Sequence, residues 1–503
     1  MTHDLSRREF LRAGAGAAGA VALGSQLGWL TGCGDDAATT TATAPDWDGL
    51  ASRLQGRLVR PGDRGFEKVS LPLNLRYAEI QPQGVSLCTG EADVRESVVW
   101  ARESGVPVSI RSGGHNYAGY STGPGLVVNV GGMRDVDVDD GAGTVKAAPG
   151  ARNTTIYNGL QPHGVAISAG RCPSVAVGGL VLGGGIGFSS RLFGLTCDHL
   201  IEADIVTAAG ETLRCSEAEN EDLFWALRGG GNGNFGVCTS YTFETRPVED
   251  VTIYDVAWEW DDAAAAIAAF QEAIADAPDE LSARIGVGRP GIPESAGAGL
   301  PVVNALGQYF GPEEELVELL EPALKAGRLK SSLIERRTFW SAKDYFFATT
   351  PKVAYAVKSD YLDEPLGEAG VEALLAAVEE WPGSSNEDGA GAAMFRSGGA
   401  INRVPADATA FVHRSQFAVL ATESTWTPED SEGTVQANVE WLDSLAERLA
   451  PHVSGSAYQN FIDRGQPDWE RAYYGANFDR LVEVKRRYDP DGLFDYEQGI
   501  PSS

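Results

Sequence analysis

Three glycine clusters, GGH at 113–115, GGLVLGGGIG at 178–187 and RGGGNGNFG at 228–236, constrain the fold of this chain more than any other feature. Glycine reaches backbone conformations closed to other residues and lets main chain approach another segment, or a ligand, closely. From about Leu75 to Arg246 the clusters punctuate short β-branched runs and two helical patterns. ADVRESVVWARESG carries Val94, Val98 and Trp100-Ala101 at helical spacing, and NTTIYNGLQPHG reads as a helix opened by Asn153. VPVSI, GLVVNV and TVKAAPG read as strands, and ADIVTAAGETLRCS as a hairpin turning at Ala209-Gly210. The product is an α+β fold with glycine-laden crossovers.

The third cluster holds Gly231-x-Gly233-x-x-Gly236, the letters of the dinucleotide fingerprint. Its context is reversed. A Rossmann site needs a strand before and a helix after, so that the helix N-terminus meets the pyrophosphate; here helical EDLFWALR precedes and strand-like VCTSYTF follows. The second cluster, Gly185-x-Gly187-x-x-Ser190, misses the third glycine. Clustered glycines can still turn backbone N–H groups onto an anion without a helix dipole, forming a nest for a pyrophosphate. The alternative is tight turns in a crowded domain.

Past Val251 the glycines thin out and Ala/Glu/Leu helices appear: DDAAAAIAAFQEAIADAP, GPEEELVELLEPALKAG and GEAGVEALLAAVEEW. Strand-like SARIGVG, VVNALGQYF, VAYAVKSDYL, AAMFRSG and FVHRSQFAVLATESTW lie between or after them, which predicts a sheet covered by helices. The expected organisation is a cofactor domain over 49–250, a substrate domain over 251–449, and a segment over 450–503 that returns to the first. The 40 Lys and Arg against 70 Asp and Glu leave a formal charge of −30, which opposes binding to nucleic acid.

Residues 1–33 combine Arg7-Arg8, Glu9-Phe10-Leu11 and a mild Ala/Gly/Leu run, the pattern of a twin-arginine export signal. The run is too short and glycine-rich for a spanning helix. It ends in Leu30-Thr31-Gly32-Cys33, which resembles a lipobox, so Cys33 is a candidate lipidated membrane tether followed by a flexible linker over 34–48. Twin-arginine export carries folded proteins, which suits a cofactor installed before export. The other cysteines, Cys88, Cys172, Cys197, Cys215 and Cys238, are odd in number and form no CxxC pair, so no zinc site is expected and one thiol is left over from any pairing.

His115 follows a strand and two glycines, and Cys172 precedes a proline in RCPSV. Either side chain can serve as a packing or hydrogen-bonding group. No further His or Cys stands at ligand spacing, which disfavours a metal. An isoalloxazine ring, by contrast, is electrophilic at its 8α-methyl and at C6, where an imidazole nitrogen and a thiolate can add respectively.

RSGGHNYAGYS, AGRCPSVAVGGLVLGGGIGFSSRLFGLTCDHLIEADIV, DLFWALRGGGNGNFGV and YYGANFDRLVEVKRRYDPDGLF resemble, in that order, motifs of FAD-linked oxidases of the berberine bridge enzyme type, in the vanillyl-alcohol oxidase superfamily with its PCMH-type FAD domain. The resemblance runs from about Leu75 to Ile500. It implies FAD joined to His115 through 8α and to Cys172 through C6. It also implies that Arg111, Ser112, Gly113, Gly114 and Asn116, and then Ser174, Val175, Val177, Gly178 and Gly179, wrap the ring and pyrophosphate, with Gly187, Val237 and Asn460 as further contacts.

The resemblance further implies an oxidase: a substrate C–H, of an alcohol or carbohydrate, delivers hydride to flavin N5, and O2 takes the electrons to give H2O2. Val175 matches the position that admits oxygen beside the ring. Leu180 stands where relatives place histidine, so backbone amides are expected to stabilise charge at N1 and O2. The YxNYxD segment reads Tyr458-Gln459-Asn460-Phe461-Ile462-Asp463, so Phe461 replaces the second tyrosine. Tyr458 and Tyr117 remain as candidate bases, with Lys358 or Arg414 as the cation a phenol needs. Tyr355, Tyr361, Phe417 and Trp426 are candidates for substrate stacking or core. Two other readings stay open: a dehydrogenase or oxidative cyclase acting on an aromatic secondary metabolite, and a surface lipoprotein that binds without turnover.

Overall fold

The computed structural model describes residues 44–347 and 352–503. The export signal, Cys33 and residues 34–43 of the linker lie outside the described residues; the expected linker bound at 48 is too late, since the helix Trp47–Arg53 begins inside it and buries Trp47. From Pro45 onward the contacts knit into one compact unit.

The first glycine-rich half builds two sheets. Arg57–Val59, Gly84–Leu87, Leu126–Asn129 and Val108–Arg111 lie in that spatial order, antiparallel for the first pair and parallel thereafter. The helix Glu91–Ser104 buries Val94, Val98, Trp100 and Ala101 against them. It ends where Gly105, at φ 62°, turns its N–H back to the Ala101 carbonyl. Val136–Asp139, Thr144–Ala147, Val237–Glu244, Leu200–Val206 and Thr212–Ser216 form an antiparallel second sheet. Its last pair is the expected hairpin, turned at Gly210 with φ 81°.

The helix opens at Asn153 as expected. Arg152 precedes Asn153–Leu160 without a side-chain cap, and the Asn153 amide instead donates to the Cys172 carbonyl at 2.8 Å. Thr154 Oγ1 donates to the next carbonyl, of Pro173, at 3.0 Å. A residue type that favours helix starts here anchors the cysteine loop.

The second half forms a seven-stranded antiparallel sheet in the order Leu329–Arg337, Val251–Trp258, Val302–Tyr309, Arg284–Arg289, Ala390–Arg396, Ala418–Trp426, Ala354–Leu362. Two of these strands were not expected. Leu329–Arg337 is a solvent-facing edge whose LKSSLIERR lacks an apolar alternation, as edge strands do. Val251–Trp258 hides at the junction between glycine-rich and helical sequence.

Helices Ala263–Ala275, Glu313–Leu324, Glu368–Glu379 and Glu432–Leu449 bury one sheet face through residues such as Ile285, Val303, Met394 and Leu420. The alternate residues turn to the first half, and Ile253, Val419 and Tyr361 join its core. The terminal segment is pinned at Lys485. Its buried ammonium donates to Asn234 O at 2.7 Å, Phe494 O at 2.6 Å and Asp489 Oδ2 at 2.6 Å, and Ile500 N–H donates to Asn234 Oδ1 at 2.9 Å.

Candidate active site

A cavity of about 510 Å³ opens where the glycine loops meet the terminal segment. Ser112, Gly113, Gly114, His115, Asn116 and Tyr117 form one wall; Val175, Gly178 and Gly179 a second; Val237 and the stretch 494–497 a third; Tyr458, Asn460 and Phe461 a fourth. Its size is that of an ordinary ligand or cofactor site.

The backbone of 113–116 is shaped for an anion. Gly114 sits at φ 80°, and among the described residues the N–H groups of Gly113, Gly114, His115 and Asn116 donate to no protein acceptor. Consecutive undonated N–H groups on a cavity wall form a nest that receives a pyrophosphate. The cradle is tight: a Cβ at Gly113 would stand 2.8 Å from Ala176 N, and one at Gly178 2.8 Å from Pro149 O. Asn232, also on the wall, keeps a buried Oδ1 without a protein partner. The residues present thus fit FAD.

His115 and Cys172 meet at one hydroxyl. His115 Nε2 is 3.0 Å from Ser174 Oγ, and Cys172 Sγ is 3.6 Å from the same oxygen. Burial holds the imidazole down at about 4, so it is neutral with a lone pair to donate. The other thiols, Cys88, Cys197, Cys215 and Cys238, are buried, and burial pushes each of them up.

Five expected contacts are not on the cavity lining: Cys172 and Ser174, described above, and three that stand back from it. Arg111 donates to the carbonyls of Ser121, Val69, Leu71 and Ser70, so it roots the loop. Val177 is fully buried, its N–H on the Ala151 carbonyl. Gly187 is a crossing point, since a Cβ there would lie 2.0 Å from Ala169 O, and its N–H is held by Ser190.

Around Tyr117 lies an aromatic wall. Phe461 stacks on it at 5.4 Å and 15°, Tyr355 meets it edge-on at 5.3 Å, and Tyr458 meets Phe461 edge-on at 5.0 Å. Buried Asn74 fixes both loop and strand: its amide donates to the Tyr117 and Tyr355 carbonyls, and its oxygen accepts the Tyr355 N–H. Tyr361, Phe417 and Trp426 are core instead, Tyr361 stacked on His413 at 4.3 Å.

Neither expected cation serves a phenol. Lys358 pairs with Asp463 at 2.9 Å and Asp443 at 3.1 Å, and Arg414 forms a two-pronged bridge to Asp198 at 2.7 and 2.8 Å. Tyr458 Oη accepts from Gly185 N–H and Asn460 Nδ2, both at 3.0 Å, but burial outweighs these donors and raises its pKa. Tyr117 is raised by burial and by Glu423, with only Arg171 opposing closely.

Glu423, Arg171 and Arg284 were missed by sequence reasoning. Glu423 shares the inward parity of Val419 on its strand and faces Val357 and Gly391 across the sheet. It is open to solvent yet surrounded by protein, and that surrounding raises its carboxyl above the ordinary value. A lone acid at an inward position of AVLATESTW was the available signal.

Comparison with known proteins bears on this geometry. The family described as FAD binding domain matches residues 82–216, and that described as Berberine and berberine like matches 457–501. The chain is similar to the FAD-linked oxidoreductase YgaK of Bacillus subtilis (strain 168), 33% identical over 90% of this chain and 98% of that one. It is 28% identical to the monolignol oxidoreductase AtBBE-like 13 of Arabidopsis thaliana over 85% of this chain and 86% of the other. Among solved structures it resembles a carbohydrate oxidase from Microdochium nivale, with 26% identity, a TM-score of 0.78, and coverage of 91% of this chain and 99% of that one.

Proposed function

The chain belongs to the berberine bridge enzyme-like FAD-linked oxidoreductases, and from that premise we propose that it is an oxidase whose FAD is held covalently by both His115 and Cys172, acting on an alcohol carbon of a carbohydrate or aromatic substrate. The observation that carries this reading is the convergence of Nε2 and Sγ on Ser174 Oγ beside the undonated 113–116 backbone. Bound FAD supplies a two-electron acceptor that takes hydride from the substrate carbon and passes both electrons to O2, giving H2O2.

The chain's own residues do the rest. The 113–116 nest holds the phosphates, and neutral His115 offers its lone pair. Tyr117, Phe461 and Tyr355 exclude water and present aromatic faces to the substrate. Glu423 receives the hydroxyl proton as hydride leaves, since a raised carboxyl is a better-matched base near neutral pH than a buried phenol raised still further. Val175, half-buried on the wall, leaves room for O2. Arg7-Arg8 and Leu30-Thr31-Gly32-Cys33 support export by the twin-arginine route with Cys33 as an anchor.

The purified protein should stay yellow after acid precipitation and release H2O2 on aerobic turnover. Glu423→Gln should lower kcat by about 10²–10⁴-fold and erase the acid limb of the pH–rate profile. Colour lost to the supernatant would overturn double attachment. Unchanged kcat in the variant would remove Glu423 as base. A second reading, a dehydrogenase or cyclase on an aromatic metabolite, is supported by the Tyr117–Phe461 stack; reduced flavin that persists in air would select it.

A further inference from the structure

We infer, resting on the reading above that the substrate is oxidised beside Glu423, that the substrate is a carboxylate anion received by the guanidinium groups of Arg284 and Arg171. Arg284 lies on Arg284–Arg289, facing inward, opposite in parity to Ile285 and Val287 of the helix-covered core. Its side chain reaches along the sheet over Gly286, where a Cβ would stand 2.7 Å from Arg284 Nη1 and 2.6 Å from Asn304 Oδ1. The Phe395 ring flanks the guanidinium at 5.7 Å.

Among the described residues the three arginines buried outright are saturated, although Arg60 and Arg228 each keep a buried Nε without a partner. Arg111 binds four carbonyls, Arg191 binds those of Leu281, Ser397, Ala277 and Pro278, and Arg414 grips Asp198. Arg284 differs. Its Nε is buried with no partner, and among the described residues neither guanidinium group, of Arg284 or of Arg171, makes a hydrogen bond or an ion pair. The two cations feel each other, and burial with that repulsion brings Arg284 down to about 10. Two planar forks with no hydrogen-bonded or ion-paired acceptor are an arrangement that a bound carboxylate would complete, through charge-assisted hydrogen bonds.

Charge and shape narrow the ligand further. Glu423 feels both guanidinium groups and also Asp388, so the acids already near the pair favour a singly charged ligand over a phosphate dianion. Asp255, also nearby, already accepts from Tyr345 Oη at 2.7 Å. The floor between Arg284 and Glu423 is bare: Gly286 pairs with Ala393, Ala393 with Ala421, and Gly391 with Glu423. Small residues there leave space for a flat ring, with the acid at one end and Glu423 at the other. A sugar acid and an aromatic acid share this chemistry.

The test is calorimetric titration of the holoenzyme with two matched pairs, D-glucuronate against D-glucose and 4-hydroxybenzoate against 4-hydroxybenzamide. The acid of at least one pair should bind about tenfold or more tightly than its neutral partner, and the pair that does so identifies the source. Arg284→Gln should abolish that preference while leaving the neutral partner's affinity within about twofold, and Arg284→Lys should keep part of it. Equal binding within both pairs overturns the inference, as does an Arg284→Gln variant that weakens acid and neutral alike. If Arg284→Gln fails to fold, the wild-type pairs and Arg284→Lys decide. The readout is separate from redox chemistry: a protein that prefers acids but carries no covalent flavin refutes the oxidase reading alone, and an active oxidase indifferent to charge refutes this one alone.

Discussion

Gly178 and Gly433 invite the same substitution with opposite results. Each is the second residue of its helix, Val177–Leu182 and Glu432–Leu449. Replacing glycine by alanine in a helix gains about 0.5–1 kcal/mol when space allows. At exposed Gly433 space allows, the nearest atom to a new Cβ being Ser431 Oγ at 3.8 Å. At Gly178 the new Cβ would stand 2.8 Å from Pro149 O, 3.0 Å from Ser112 Oγ and 3.1 Å from Pro149 Cβ. That carbonyl already accepts from Gly178 N–H at 3.0 Å and from Ser112 Oγ at 2.6 Å, so pushing it strains two hydrogen bonds on the cavity wall. Overpacking of this kind costs about 1–3 kcal/mol. Set against the helix gain, about 2.5 kcal/mol at most remains, which would weaken flavin capture by about seventyfold if all of it falls on the cradle. Denaturant midpoints from tryptophan fluorescence and the flavin-to-protein absorbance ratio read both consequences. Gly433→Ala should match or exceed wild type with full flavin, and Gly178→Ala should lose midpoint and colour. Wild-type colour in Gly178→Ala would refute the tight cradle.

Two further outcomes follow from buried charge. His413 is buried against the Tyr473 carbonyl, and burial lowers it to about 4 from 6.5. A folded value below the unfolded one means the unfolded chain gains a proton first as pH falls through 6.5, so stability drops until about pH 4, by about 3 kcal/mol for this residue. His413→Gln should flatten the acid slope by one proton's worth, and an unchanged slope from pH-dependent denaturation would overturn this account. Asp198→Asn leaves the buried Arg414 guanidinium without its counter-charge and should cost about 3–5 kcal/mol in thermal or chemical unfolding, whereas pairing it with Arg414→Met should recover much of the loss.

The frame of the site was legible because it is local. The glycine runs, the strand before His115 and the proline after Cys172 mark turns within a few residues of themselves, and the structure brings Gly113, His115, Val175 and Gly178 to one cavity. What stayed hidden depends on pairing across long separations. Asn74 reaches Tyr355 across 281 positions, and the inward parity of Arg284 and Glu423 has meaning only once seven strands are in register. Lys358 and Arg414 misled for the same reason, since their carboxylate partners are 105 and 216 positions away. Arg111 and Gly187 sit inside motifs that surround the cavity, but one roots a loop and the other permits a backbone crossing.

The cavity borrows a wall from 494–497, and Lys485 and Ile500 hold that wall to Asn234 in a loop made much earlier. A chain cut short of Phe494 would lack that wall, so the cavity is complete only when residues more than 250 positions apart have met.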